Sequence, residues 1–297
     1  QFGQNEPEIL YQVNGLLEQD SLSGSLSREA GEDIGEYRIT IGTLGNDNYQ
    51  IFLISNIFEI EKRTIEVIDI IVEDREYDQT TQITSGEASF STEEDRTIYK
   101  NGNLTIVFSS ADVLEDFSRI EIVAQAQFLS ASAAANKEVD LEFYLTGADR
   151  NNYDLISNIT PTGNILPRKI DVYGENKTKQ FGFEAPQLTY NTSGLLAGDY
   201  LTGNVQRESG ESVGNYVIGI GTLSNPNYEI NFIAANFEIT PRQIQIEIQA
   251  KEKQYLDSDP EFTYTVTNGR EVPGYPLNVV LTRTQGDTIG DLSLIHI

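Results

Sequence analysis

Residues 28–44, REAGEDIGEYRITIGTL, recur as residues 207–223, RESGESVGNYVIGIGTL. The repeat extends beyond this stretch, because residues 2–65 align with residues 181–244 at a fixed offset of 179, and 31 of those 64 positions are identical. A repeated module indicates a tandem array, whose function generally depends on length and surface rather than on one pocket.

The apolar pattern inside the repeat is that of short strands. Tyr37, Ile39 and Ile41 alternate with Arg38 and Thr40, as in an antiparallel sheet with one solvated face, and glycines separate the apolar runs where turns are needed. No stretch of ten or more residues in these repeats has a helical period. In the second copy we expect strands at 168–173, 188–190, 201–206, 216–221, 228–233 and 237–239.

The predicted fold class is therefore mainly β: an elongated tandem array of small antiparallel β-sandwich-like modules. A β-grasp-like module is the alternative, although it requires a helix that the repeats do not show. The segment between the two copies has one candidate helical turn, around Asp112 to Asp116.

Three similar joints divide the chain. Arg63, Arg168 and Arg242 each follow an isoleucine-containing tripeptide that ends in Lys62, Pro167 or Pro241, and proline suits a strand end or a stiff junction. The two spacings, 105 and 74 residues, together give the offset of 179. We therefore predict four modules: 1–62, lacking its first strand; 63–167; 168–241; and 242–297, truncated at its C-terminal end.

The composition excludes several classes of partner. The chain has 46 acidic against 20 basic residues, a formal net charge of −26, so nucleic acid and anionic lipid surfaces would be repelled. No apolar run approaches the ~20 residues that cross a bilayer, so no membrane insertion is expected. Cysteine is absent, so stability has to come from packing without disulfides.

The sequence predicts no enzyme. The single histidine, His296, lies next to the last residue and there is no cysteine, which excludes Ser-His-Asp and Cys-His catalysis and ordinary zinc sites. No phosphate-binding loop opens a helix. We therefore expect no catalytic and no cofactor-binding residues.

Calcium is the one cofactor to consider, because it requires only clustered oxygen ligands. Asp257, Asp259 and Glu261 place three carboxylates within one predicted turn, hereafter the acidic turn, and are the candidate metal ligands. A solvated turn without metal is the alternative. The corresponding segment Glu184–Pro186 has only one acid, so a calcium site common to all modules is not expected.

Four groups of residues resemble the MBG repeat, in the version named for a Tyr-Gly-x start. They are Phe181-Gly182 with Pro186-x-Leu188-Thr189-Tyr190, Gly194-Leu195 with Gly198-Asp199-x-Leu201-x-Gly203, Gly210-x-x-x-Gly214-x-Tyr216, and Asn227-Tyr228-x-Ile230 with Ile239-Thr240-Pro241. Residues 63–167 are similar to the related YDG repeat, through Tyr77-Asp78-x-Thr80-Thr81 and Leu145-Thr146-Gly147-Ala148-Asp149-x-x-Asn152-Tyr153. Phe2 and Phe181 stand where the MBG family has tyrosine.

The resemblance implies an extracellular protein, secreted or at a bacterial cell surface, in which such repeats build long adhesins. It supports our main hypothesis, a stalk or spacer segment of a large repeat-containing adhesin that supports cell adhesion. The first alternative is a carbohydrate- or host-surface-binding module centred on 63–167. The second alternative is a filament subunit completed by strand exchange between chains. The expected partners are therefore neighbouring modules or chains, together with a glycan or host surface if the first alternative holds.

Overall fold

The computed structural model describes residues 1–93, 96–109, 119–284, 286, 290 and 294–295. The chain forms two compact units. Unit 1 contains residues 1–168 together with 226–228, and unit 2 contains 169–225 and 229–297. The described residues form small β-sheets and one short 3₁₀ turn, so the prediction of a mainly β chain of tandem modules is confirmed.

Residues 1–62 of unit 1 form one antiparallel sheet with strand order β1-β2-β3. The strands are β1 (Ser27–Arg28), β2 (Gly35–Thr40) and β3 (Ile57–Ile60). Only two apolar side chains of this segment, Leu44 and Ile60, are fully buried, while Phe52 and Ile54 are 83% and 97% exposed.

Residues 63–167 form two sheets that pack face to face. The strands are β4 (Arg63–Val72), β5 (Arg75–Glu76), β6 (Ser89–Glu93), β7 (Arg96–Asn101), β8 (Leu104–Phe108), β9 (Glu121–Phe128), β10 (Ala134–Thr146), β11 (Tyr153–Ile156) and β12 (Thr162–Leu166), with a 3₁₀ turn at Arg150–Asn152. The strand orders are β11-β4-β8-β7-β6 and β5-β12-β10-β9.

The core between these two sheets is closely packed. A Cβ atom added to Gly163 on β12 would lie 2.6 Å from Val72 of the other sheet and 3.1 Å from Phe128. Phe128, Tyr99 and Leu104 are each 1% exposed or less. Burial of apolar surface between the sheets therefore stabilises this segment.

Residues 168–241 also form two sheets, with strand orders β15-β13-β18 and β14-β19-β17-β16. The strands are β13 (Arg168–Gly174), β14 (Lys177–Gln180), β15 (Tyr190–Ser193), β16 (Gln206–Arg207), β17 (Gly214–Gly219), β18 (Tyr228–Ile233) and β19 (Ala235–Thr240). The strand expected at 228–233 is confirmed to the residue. The one expected at 201–206 is reduced to the short β16 and an isolated bridge at Thr202, and β14 was not predicted.

The described part of residues 242–297 has two short antiparallel pairs. These are β20 (Gln245–Ile248) with β21 (Tyr264–Asn268), and β22 (Thr282–Arg283) with β23 (Leu294–Ile295). No apolar side chain described in this segment is fully buried. The period-two pattern at Ile244, Ile246 and Ile248 correctly predicts β20.

The sheets differ from the expected antiparallel pairing at three places. β11 runs parallel to β4, β12 to β5, and β14 to β19. Parallel neighbours require a long connection, so they join segments far apart in sequence that local pattern does not associate. The helical turn predicted at Asp112 to Asp116 lies outside the described residues. Every described sheet uses strands from one predicted module, while the exact four-module division stays a prediction.

Candidate functional site: the arginine cluster and the groove of residues 63–167

The most regular side-chain arrangement in the chain is centred on Arg207, at the end of β16. Its guanidinium lies 4.8 Å from the ring centre of the buried Phe237 and 5.3 Å from that of Tyr216. It donates hydrogen bonds to the carbonyl of Gly210, at 2.6 Å, and of Glu208, at 3.0 Å. Arg207 and its contacts are hereafter the arginine cluster.

Gly210 is required at its position because the Tyr216 ring packs against its Cα. A Cβ atom there would lie 2.3 Å from Cε1 of Tyr216, and the φ angle is +146°. The Tyr216 hydroxyl in turn donates to the carbonyl of Ser212, at 2.8 Å. The spacing Arg-x-x-Gly-x-x-x-x-x-Tyr therefore corresponds to a loop folded around the guanidinium, with the tyrosine as one of its two ring contacts.

The same cluster occurs at Arg28 in the first copy. Its guanidinium lies 4.8 Å from the Tyr37 ring centre and 5.4 Å from that of Phe58, and a Cβ atom on Gly31 would lie 2.2 Å from Tyr37. Arg28 donates five hydrogen bonds, to Glu6 (twice), Glu32 and the carbonyls of Glu29 and Gly31. Because a guanidinium has five N–H groups, all of them are used inside the module.

Carboxylates neutralise these cations. Hydrogen bonding from Lys179 and then Arg207 lowers the pKa of Glu211, and hydrogen bonding to Glu6 raises the pKa of Arg28. Position 185 is alanine where the first copy has Glu6, and Lys179 joins Arg207 at Glu211. Each cluster thus orders a loop around one guanidinium. At Arg28 it leaves no free donor for a ligand, and at Arg207 three hydrogen bonds go to Glu208, Gly210 and Glu211.

A related arrangement surrounds the acidic turn. Arg283 donates to the carbonyl of Gly286, at 2.7 Å, and its Nε donates to Asp259, at 2.6 Å. Lys253 approaches the same carboxylate to 2.8 Å. Hydrogen bonding from Arg283 and then Lys253 lowers the pKa of Asp259 to about 2. The acidic turn thus includes one acid that two cations already neutralise.

The candidate calcium ligands are exposed, and the structure does not bring them together. In the part of the chain that the structure describes, no three acidic, histidine or cysteine residues are grouped so that they could hold a metal ion. Asp257 is held by its backbone, with its amide donating to Gln254 and its carbonyl accepting from Lys253. Calcium binding by Asp257, Asp259 and Glu261 stays a prediction.

Residues 63–167 contain an opening wide enough for a small ligand. It is an open groove of about 740 Å³ between β10 and the segment that contains β11. Aromatic lining comes from Phe143, Tyr144 and Tyr153, and polar lining from Arg150 and Asp140. The Tyr144 side chain is 52% exposed, so one ring is available to a ligand from solvent. No sequence pattern indicated this groove.

Among the described residues, no helix is long and apolar enough to cross a bilayer. Comparison with known proteins gave no match to a curated protein or to a solved structure. The family model of the MBG domain, YGX type, matches residues 1–59 and 170–238. These are the two segments that contain the arginine cluster. The similarity of 63–167 to the YDG repeat stays a prediction, whereas the other resemblance is confirmed: residues 1–59 and 170–238 are MBG domains of the YGX type.

Proposed function

We propose that the chain is a stalk or spacer segment of a large repeat-containing bacterial surface adhesin, extracellular or secreted, and that it has no enzymatic activity. The observation that carries the proposal is the presence of two MBG domains in one chain, each with an arginine packed against two aromatic rings at the same position. An arginine whose hydrogen bonds go to its own loop stabilises the module from within, and at Arg28 all five donors are used in this way, as a spacer requires.

The strongly acidic surface supports this proposal. A net charge of −26 keeps a long exposed protein soluble and discourages adsorption to anionic surfaces. MBG domains occur in surface proteins, which agrees with a location outside the cell. The partners of a spacer are its neighbouring modules.

Small-angle X-ray scattering of residues 1–297 tests the stalk. Modules with strands of about eight residues would each be on the order of 30 Å long, so four in line give a maximum dimension of roughly 100 Å or more. A maximum dimension near 60 Å would defeat the proposal. Measurement at several salt concentrations is the control, because charge repulsion alone would extend the chain only at low salt.

A second candidate function is carbohydrate or host-surface binding by residues 63–167, and the groove beside Tyr144 favours it. Aromatic faces with a few polar groups are typical of sugar sites. A glycan array probed with the wild-type chain should give at least one hit, and Tyr144→Ala should weaken it roughly tenfold. Tyr173→Ala, which removes another exposed tyrosine, is the control. No hit, or equal binding by Tyr144→Ala, would count against the groove.

The third candidate, strand exchange into a filament, is favoured by the exposure of Phe52 and Ile54. The corresponding segment of the second MBG domain is strand β18, which pairs with β13, whereas residues 49–54 form no strand. A strand from a second chain would cover this apolar surface. Sedimentation at rising concentration should then show a growing mass, and a constant monomer mass at high concentration would exclude the filament.

A further inference from the structure

Both MBG domains contain the same turn around the Phe-Gly pair. In the first, the Gln4 amide donates to the Gln1 carbonyl at 3.3 Å, and in the second the Phe183 amide donates to the Gln180 carbonyl at 3.1 Å. Gly3 and Gly182 occupy the third position with φ angles of +71° and +78°. A glycine with positive φ at this position defines a type II turn, with the phenylalanine second.

Each turn is fixed to the end of its own domain. The Phe2 amide donates to the carbonyl of Glu61, and the Phe181 amide donates to that of Thr240, both at 2.9 Å. Glu61 and Thr240 each lie two residues before the arginine that opens the following module. The hydrogen bond therefore places the phenylalanine ring beside the start of the next module.

In both cases a tyrosine of the following module receives the ring. Within unit 1, Phe2 meets Tyr153 edge to face, with ring centres 5.4 Å apart and an interplanar angle of 74°. Within unit 2, Phe181 meets Tyr275 at 5.0 Å and 90°. Edge-to-face packing at this distance is an attractive geometry for two rings.

The two tyrosines come from unlike places. Tyr153 begins strand β11 and pairs in register with Arg63. Tyr275 instead ends a tight turn, in which its own backbone amide donates to the Val272 carbonyl. Because different local structures present the same residue type to the same ring, the contact does not follow from a repeated sequence in the receiving module. It is a property of the junction.

The glycine of each turn allows the next module to approach closely. A Cβ atom on Gly182 would lie 2.4 Å from Val272 and 3.4 Å from Nη1 of Arg242, and one on Gly3 would lie 3.3 Å from Nη1 of Arg63. Arg242 also lies over the Phe183 ring, 4.7 Å from its centre. The glycine thus serves both the turn and the interface.

We propose that the Phe-Gly turn of each MBG domain is a docking element that holds the following module of the same chain at a fixed angle, with a tyrosine of that module as the receptor for the ring. We call this pairing the junction clasp. It gives the aromatic residue and the glycine of the YGX start a physical role at the interface. The inference extends the proposed stalk function, because it names the contact that stiffens each junction. Its evidence consists only of contacts within each unit.

The clasp in unit 2 is the better test, because the first junction has two additional hydrogen bonds: the Asn152 side-chain amide donates to Asp33, and the Ile34 backbone amide donates to the side-chain oxygen of Asn152. The chain has no cysteine, so Glu238→Cys and Thr265→Cys, both at exposed strand positions, accept spin labels on either side of the junction. Pulsed electron paramagnetic resonance on the full chain should give one narrow distance distribution.

Phe181→Ala and Tyr275→Ala should each broaden that distribution, with the undocked share rising roughly 2- to 10-fold from loss of the ring contact. Phe181→Leu retains apolar volume and should broaden it as well, which separates the ring contact from a general packing defect. Tyr200→Ala and Tyr255→Ala remove exposed tyrosines from the two sides of the junction and should leave the distribution narrow.

Two results would overturn the clasp: an unchanged distribution in all three clasp variants, or a wild-type distribution as broad as theirs. Hydrogen exchange within β17 and β19 identifies any variant that unfolds the domain. The outcome is independent of the stalk proposal, because a flexible junction can still give an extended chain in scattering, and a compact chain can still contain an intact clasp.

Discussion

Substitution of Gly210 by alanine tests whether the arginine cluster depends on contact between the tyrosine ring and the glycine Cα. The added Cβ would lie 2.3 Å from Cε1 of Tyr216, well inside van der Waals contact. Either the ring or the loop has to move, and the loop carbonyl that accepts from Arg207 moves with it. Gly214→Ala is a matched control, since its φ of +155° is similarly unfavourable but nothing lies within 4 Å of its Cβ.

The expected loss of stability is larger for Gly210→Ala than for Gly214→Ala, because only the first variant adds a steric clash. Positive φ on a residue with a side chain costs about 1–3 kcal/mol, and this term applies to both variants. Forcing atoms into a filled site costs about 1–3 kcal/mol more, which only Gly210→Ala incurs. The difference corresponds to roughly 5- to 150-fold faster opening of the surrounding sheet.

Native-state hydrogen exchange with mass spectrometry measures this in the full chain, because it localises stability to individual strands and does not assume two-state unfolding. The reporters are peptides covering β16 and β17, where the Glu208 amide donates to the Val217 carbonyl. Peptides from 63–167 provide an internal reference. If Gly210→Ala accelerates exchange no more than Gly214→Ala does, the explanation of the motif is wrong.

Three other perturbations have defined outcomes. Arg207→Lys keeps the charge but loses the planar fork, so it should destabilise β16 and β17 by about 1–2 kcal/mol in the same exchange experiment, and equal protection would refute the role of the guanidinium. Hydrogen bonds, first from Thr189, lower the pKa of Glu175 from 4.5 to about 2, so its stabilisation is complete above pH 4.5 and lost as the pH falls to about 2. Glu175→Gln should therefore flatten the acid dependence of the melting temperature in this interval, and an unchanged dependence would contradict the assignment. A calcium site in the acidic turn predicts a higher melting temperature in calcium than in chelator, lost in Asp257→Asn, and equal temperatures would exclude it.

Much of the fold could be predicted from local pattern because strand formation here follows alternation and glycine placement. The alternation around Tyr216 predicts β17, and the run from Tyr228 to Ile233 predicts β18. The repeat also predicts that both copies share their local contacts, which the two arginine clusters confirm at Arg28 and Arg207.

The same repeat shows where local pattern fails. Residues 49–54 share the Tyr-x-Ile pattern of 228–233, yet only the latter form a strand. A strand requires a hydrogen-bonded neighbour, and β18 has one in β13, whereas 49–54 are paired with no described strand. The different exposure of Ile54 and Ile233, 97% and 39%, therefore reflects strand pairing and not the residue type, which is the same.

The candidate site was harder to predict. The sequence contains the arginine, the glycine and the tyrosine at fixed spacing, and it indicates a turn there, but it does not show that the guanidinium lies between two rings. Phe237, which contributes the second ring, is 30 residues from Arg207. The groove beside Tyr144 likewise depends on two segments brought together by the fold.

By itself the sequence determined that this chain is a β-rich array with a repeated module, because alternation, glycine punctuation and the 179-residue offset are local or periodic properties. Only the tertiary structure decided which strands pair in parallel, which apolar residues stay exposed, and that Phe2 and Phe181 each meet a tyrosine of the following module. Those features depend on partners distant along the chain, and the free energy of a contact is set by which surfaces meet in space rather than by either segment alone.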